Sequence, residues 1–292
     1  MTAPVLADAM GPRARRRAVV ASVVAGAAIA YLVVLAVRRL DANNQLLWDN
    51  WRPFTKRSIL KFFLGGLGNT VRAAVTAMGF AVVVGGLVAL LRLSRSRPPR
   101  WVARGYVEFF RGLPLYVLIL FCGFGLPRLG IRFSPFWFLV TALSIYNSAI
   151  LAEIFRAGIL SLDRGQGEAA SAIGLGYWQS MAFVIVPQAV RRMVPAIISQ
   201  LVTLLKDTSL GGLIFYEELL SRGRINAEFT QRTLPSLTVV ATMYIAVNFT
   251  LSAVAVRLEA RQRRRYGAGK IEVAGAEDVA LVAAKGDARL DA

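Results

Sequence analysis

The chain has 292 residues, 56% of them apolar and 18% charged, with a positive mean hydropathy, a balance too apolar for an ordinary soluble domain. It contains no histidine and one cysteine, Cys122, so Cys/His zinc sites, Cys/His nucleophile pairs, histidine acid–base chemistry and internal disulfides lack their residues. The net charge of +18 comes from arginines clustered beside apolar runs, which is the pattern of membrane topology and not of nucleic-acid binding.

A spanning helix needs about 20 mainly apolar residues, because lipid offers backbone polar groups no partner and the helix satisfies its own. Residues 18–37 are the first such run, behind a basic tail (1–17) with Arg13, Arg15, Arg16 and Arg17. The run ends in Arg38 and Arg39 without a small-residue cleavage site, so an uncleaved anchor is expected and not a signal peptide. Residues 38–63 interleave Trp48, Trp51, Phe54, Phe62 and Phe63 with Arg52, Lys56, Arg57 and Lys61, which reads as an amphipathic segment on the outer interface. The second span, 67–91, carries Gly79, Gly85 and Gly86, which permit close helix approach. The third, 113–126, is short, and the preceding GYVEFFRG is expected to continue it as one helix. Further spans are read at 135–151, 194–214 and 234–256. Residues 261–292, Gly, Ala and mixed charge, are expected to be a disordered tail.

Six spans put both termini on one side. Arg13–Arg17, the Arg92–Arg104 group, Arg156, Arg164, Arg191, Arg192 and the RLEARQRRR run all fall on that side, which marks it as the cytoplasm. The sequence thus reads as an all-α membrane protein of about six transmembrane helices.

Between the fourth and fifth spans stands GQGEAASAIGLGYWQSMAFVIVPQAVRRMVP. Small residues open a helix, Gly174 and Gly176 bend it, and Pro187 and Pro195 punctuate the return to the membrane. The expectation is two short helices joined by a glycine bend. Glu168, Ala169, Ala170, three spacers, Gly174 and then Pro187 resemble the EAA loop of ABC importer permeases, with Val184 and Val186 where the family has Ile and Leu. YVEFFRGLPL (106–115), AEIFRAGILSLDRGQGEAA (152–170) and LKDTSL (205–210) are similar to blocks of that family's polar amino-acid class, in the same order. The resemblance covers residues 64–260. Leu113, Leu118 and Ile150 depart from the class, where Thr, Gln and Tyr are usual.

The resemblance implies a five-helix permease core (64–260) preceded by an extra helix. It implies a coupling helix in the loop 168–187 and transport by alternating access, and it locates the chain in a bacterial inner membrane with both termini cytoplasmic. No GxxxxGK[ST] phosphate loop occurs in the sequence, so ATP hydrolysis falls to a separate subunit. The implied partners are ATP-binding cassette ATPases, an extracytoplasmic amino-acid-binding protein and a second permease copy. The chain itself has no catalytic residue, metal site or cofactor on this reading. Glu168, Ala169, Ala170, Gly174 and Pro187 are the candidate coupling residues; as a bare helix acid, Glu168 would also suit a helix N-terminus.

Charges and amides at membrane depth face a bundle interior, a partner or a path. Arg72, Asn147, Lys206 and Asp207 are the candidates for a substrate pathway. Glu108 with Arg111, and Glu153 with Arg156, are spaced as local i, i+3 ion pairs. Other readings are a permease for another small polar solute such as an opine, a membrane-embedded enzyme, which scattered acids support poorly, and a passive channel.

Overall fold

A computed structural model describes residues 11–258 and 260; the expected disordered tail lies outside these residues. Among the described residues the secondary structure is helical, with no strand. The chain divides into two compact units, Met1–Leu60 and Lys61–Ala292.

In the first unit, helix α1 (Pro12–Ala42) opens with proline in its first turn, a residue whose fixed φ and missing N–H suit that position. Arg13 to Arg17 are therefore helical and are not a tail before the helix. Its apolar side chains are exposed on every face, Val19 to Val37 at 41–65%, as a lipid-facing span requires. Asn43 ends it, its side-chain amide donating to the Arg39 carbonyl at 2.7 Å. Asn44 then turns the chain at φ 57°. A short helix Trp48–Trp51 and a 3₁₀ turn Arg52–Thr55 follow, held by Asn50 Nδ2 to Asn44 O (2.6 Å) and Trp51 Nε1 to Gln45 O (3.1 Å).

Helix α2 (Arg57–Arg92) leads into the second unit, followed by α3 (Arg97–Gly112) and α4 (Leu115–Arg128). Then come α5 (Pro135–Leu160), α6 (Arg164–Ala172), α7 (Tyr177–Ile214), α8 (Leu219–Thr230) and α9 (Thr233–Leu258). Helix α5 is the centre of the core, with Leu139, Leu143 and Leu151 fully buried. A stripe of Ala73, Ala74, Ala77 and Ala81 on α2 is likewise fully buried. At Gly85 an added Cβ would lie 2.8 Å from the Ser148 carbonyl oxygen, so only glycine lets α2 and α5 approach this closely. The Ser144 hydroxyl bonds across that contact to Ala77 O at 3.3 Å.

Among the described residues, five helices, α1, α2, α5, α7 and α9, are long and apolar enough to cross a membrane, and six spans result if the bent pair α3–α4 counts as one. The third span corrects the sequence reading. GYVEFFRG is helical, but it does not continue α4: the two axes meet at 98°. Pro114 forces Leu113 out of the helical region, to φ −82° and ψ 131°, because the proline ring crowds the residue before it.

A second correction concerns the prolines. The segment after Gly176 is not a short helix; it is the start of α7, which passes Pro187 and Pro195 without breaking. A π turn at Met181–Ile185 precedes Pro187, and another at Phe121–Gly125 precedes Pro127. The widened turn accommodates a ring and a missing N–H that would otherwise collide with the previous turn.

Candidate functional site

Helix α6 is defined at both ends by local chemistry. The Asp163 carboxylate caps it by accepting from Gly165 N at 2.9 Å, satisfying one of the free amides of the first turn. At the other end Leu175 N bonds Ala170 O (3.1 Å) and Gly174 N bonds Ser171 O (3.0 Å), a Schellman closure. Gly174 makes it possible by taking φ +82°, a region that side chains disfavour.

One face of α6 is anchored and the other is free. Ala170 is 3% exposed, and Gln188 of α7 donates to the Gln166 side-chain oxygen at 3.0 Å. Arg192 of α7 donates to Ser161 O at 3.2 Å, just before the helix. Glu168, Ala169, Ala172 and Ile173 are exposed, Ile173 at 77%. The structure thus brings Glu168, Ala169, Ala170 and Gly174 into one element, with Ala170 as its inward contact. It places Pro187 on α7, exposed.

The same corner holds the turn between α2 and α3. Tyr177, the first residue of α7, donates its hydroxyl to Leu93 O at 2.7 Å, and the Arg95 guanidinium sits 4.7 Å from its ring centre, a cation–π contact. A cavity of about 630 Å³ opens between this turn and α6, lined by Arg95, Asp163, Arg164, Ser171, Tyr177 and Met181 among others.

Next to it, Glu153 of α5 pairs with Arg92 at the end of α2 and with Arg156 at 2.7 Å, and Arg111 of α3 stands 4.0 Å away. One carboxylate therefore links the ends of three helices. The expected Glu108–Arg111 pair is not the one formed: Glu108 pairs with Arg104 at 2.7 Å. The i, i+4 spacing and the turn of α3 carry Arg111 toward Glu153 instead. The Arg92 and Tyr177 links join residues 61 and 84 positions apart, a distance at which sequence spacing gives no signal.

Residues 81–264 match the family described as binding-protein-dependent transport system inner membrane component. The chain belongs to this family. Among its relatives, the glutamate transport system permease protein GluD of Corynebacterium glutamicum is 38% identical over 239 residues, 80% of this chain and 87% of that protein. The probable glutamine ABC transporter permease protein GlnP of Bacillus subtilis is 42% identical over 207 residues, covering 70% of this chain and 86% of that one. Of solved structures, an amino acid ABC transporter determined with histidines matches at TM-score 0.66 and 32% identity, over 70% of this chain and 95% of that one. The methionine ABC transporter in inward-facing conformations shares the fold at TM-score 0.57 and 18% identity, over 70% of this chain and 99% of that one.

The four polar residues read as pathway candidates stand in three separate surroundings, with Lys206 and Asp207 sharing one. Asn147 is fully buried in α5, donating to Leu143 O (2.9 Å) and accepting from Gln200 of α7 (2.7 Å). Arg72 is exposed on α2, with its guanidinium 4.7 Å from the Phe136 ring centre. Lys206 lines a mainly apolar groove with Ser209, Leu220, Tyr244 and Asn248, and Asp207 beside it is half-buried.

Sequence reasoning passed over Glu218, which is 0% exposed. Its carboxyl group accepts from Leu220 N (2.7 Å), Ser221 N (2.6 Å), the Ser221 hydroxyl (2.8 Å) and the Tyr244 hydroxyl (2.7 Å). Leu219 N donates to Thr70 Oγ1 at 3.1 Å, and Asn69 donates to Glu217 O at 2.8 Å. These bonds stitch α8 to α2 and α9. The doubled acid at 217–218 was the available signal, but which of the two turns inward depends on helices that are distant in sequence.

Proposed function

We propose that this chain is the membrane-spanning permease subunit of an ATP-driven, binding-protein-dependent amino-acid importer. Helix α6 is its coupling element, and the chain works as one of two permease subunits above a pair of ATPase chains in a bacterial inner membrane, with both termini cytoplasmic. The observation that carries the reading is the two-sidedness of α6, one face bonded to α7 and the other presenting Glu168, Ala169 and Ile173 to a partner. A rigidly attached helix with a free polar–apolar face passes a partner's movement to the spans as a whole, which is what an interface-driven rigid-body transition requires. The glutamate and glutamine permeases among the relatives support an amino-acid substrate. Glu168 supplies the charge that meets the ATPase, while Ala169 and Gly174 keep the contact surface low. Substrate passes between inward-open and outward-open states as the ATPase pair closes and reopens.

The test is reconstitution of the permease in vesicles with its ATPase and binding protein. Glutamate or glutamine with the binding protein should stimulate ATP hydrolysis severalfold and drive uptake. Glu168→Arg should remove the stimulation and the uptake while leaving the helical content and melting temperature of the permease unchanged. Undiminished stimulation in Glu168→Arg would refute the docking role, and the absence of uptake of every amino acid tried would refute the substrate class.

A further inference from the structure

Glu153 stands where three helices meet, among more cations than one carboxylate neutralises. Its Oε1 accepts from Arg156 Nη2 at 2.7 Å and Nε at 3.2 Å, and its Oε2 accepts from Nη1 of Arg92, the last residue of α2. Arg111 Nη1 lies 4.0 Å from that same Oε2. Among the described residues no other acid pairs with any of the three arginines. Topology accounts for arginines beside spans, but not for three of them converging from α2, α3 and α5 on one half-buried acid. A static brace needs one cation; here the surplus positive charges repel one another.

Arg92 and Arg111 compete for one oxygen, and each sits on a different lever. An ionic hydrogen bond closes at about 2.8 Å, so Arg111 is roughly 1.2 Å short of forming it. Next to Arg92, Leu93 O receives the Tyr177 hydroxyl at 2.7 Å, so the end of α2 follows the base of α7, which Gln188 joins to α6. Arg111 stands just before the Leu113–Pro114 corner that leads into α4. One turn and a half earlier α3 is fastened to α5, where Tyr106 shares a hydrogen bond with the Ser148 hydroxyl at 2.7 Å. We propose that Glu153 is a positioning residue for transport whose Oε2 releases Arg92 and takes Arg111 when α6 moves. The exchange draws the end of α3, and the start of α4 with it, toward α5. Re-pairing of salt bridges at helix ends gives such a movement two discrete positions. The inference rests on α6 being the coupling element of an importer and deepens that reading.

The permease is assembled with its ATPase and binding protein in vesicles and treated briefly with phenylglyoxal, without nucleotide and with vanadate-trapped nucleotide. Modified arginines are then quantified by mass spectrometry. The Arg111 side chain, 52% exposed, should react at rest and be protected severalfold in the trapped state, while that of Arg92, 15% exposed, should become severalfold more reactive. Glu153→Gln should abolish both shifts. Arg111→Gln keeps the bonds from Arg92 and Arg156, so its melting temperature should match the parent's. Its uptake of glutamate or glutamine per ATP should nevertheless fall about tenfold, the size of one bond to a charged group, and Arg111→Lys should recover part of the loss. Reactivities that are the same in both nucleotide states, or parental uptake per ATP in Arg111→Gln, overturn the exchange. The labelling needs no transported substrate, so a parent complex that takes up no amino acid strikes the substrate assignment alone. A permease that binds no ATPase strikes the importer reading and the exchange with it.

Discussion

Gly174 closes α6 in a backbone region that costs a side-chain-bearing residue about 1–2 kcal/mol. Because an added Cβ there meets nothing within 4 Å, Gly174→Val should loosen α6 locally without disturbing the bundle. Limited trypsin cleavage near Arg164 should accelerate severalfold at an unchanged melting temperature. Glu218 differs, since its fully buried carboxyl group accepts four hydrogen bonds at once. Glu218→Ala should cost about 3 kcal/mol or more by stranding buried polar groups, and Tyr244→Phe about 1 kcal/mol by removing one bond. Thermal unfolding in detergent, followed by size-exclusion chromatography, would rank the two. The difference in legibility at this scale follows from range. The ends of α6 are set by bonds within five residues, which letters and spacing can express. The burial of Glu218 is set by Thr70 and Tyr244, which reach it only through tertiary packing.

Helix existence was legible from apolar run length, because the bilayer fixes how many residues a span needs. Helix ends and bends were less so. The run 113–126 marked α4, but a proline reads equally as a kink, a stop or a tolerated first-turn residue. Pro114 makes a 98° corner while Pro187 and Pro195 stay inside α7. What separates Pro187 from Pro114 is the preceding turn, a π turn in the one case and an extended residue in the other, while Pro195 sits within regular α-helix. Between elements, the bond from Tyr177 to Leu93 joins the base of α7 to the end of α2. Tyr177→Phe should keep the ring and its contact with Arg95 and lose only that bond. Reconstituted with the ATPase, this variant is expected to hydrolyse ATP at the basal rate and to transport several times more slowly per ATP. Unchanged transport per ATP would show that α2 takes no part in the coupled movement.

At the scale of the whole molecule, the proposed topology makes α1 the helix that inverts the parity of the spans. Without residues 1–42, the new N-terminus should lie across the membrane from the proposed cytoplasmic face, while the C-terminal end keeps its side. Terminal fusions to alkaline phosphatase and to a fluorescent protein that matures only in the cytoplasm would report both ends. A cytoplasmic new N-terminus with an extracytoplasmic C-terminus would mean that α1 dictates the orientation of every later helix.

The corner at Leu113–Pro114 also leaves α4 with only the stretch Leu115–Arg128, 14 residues, or about 21 Å of axial length. A hydrocarbon layer of about 30 Å exceeds that by roughly 9 Å, a mismatch of the kind met by thinning of the bilayer, by snorkelling of flanking residues or by association with other helices. On the proposed transport role, acyl-chain length is then expected to affect the cycle. In vesicles of progressively longer-chain lipids, uptake should decline well before the other spans, all of 26 residues or more, are strained.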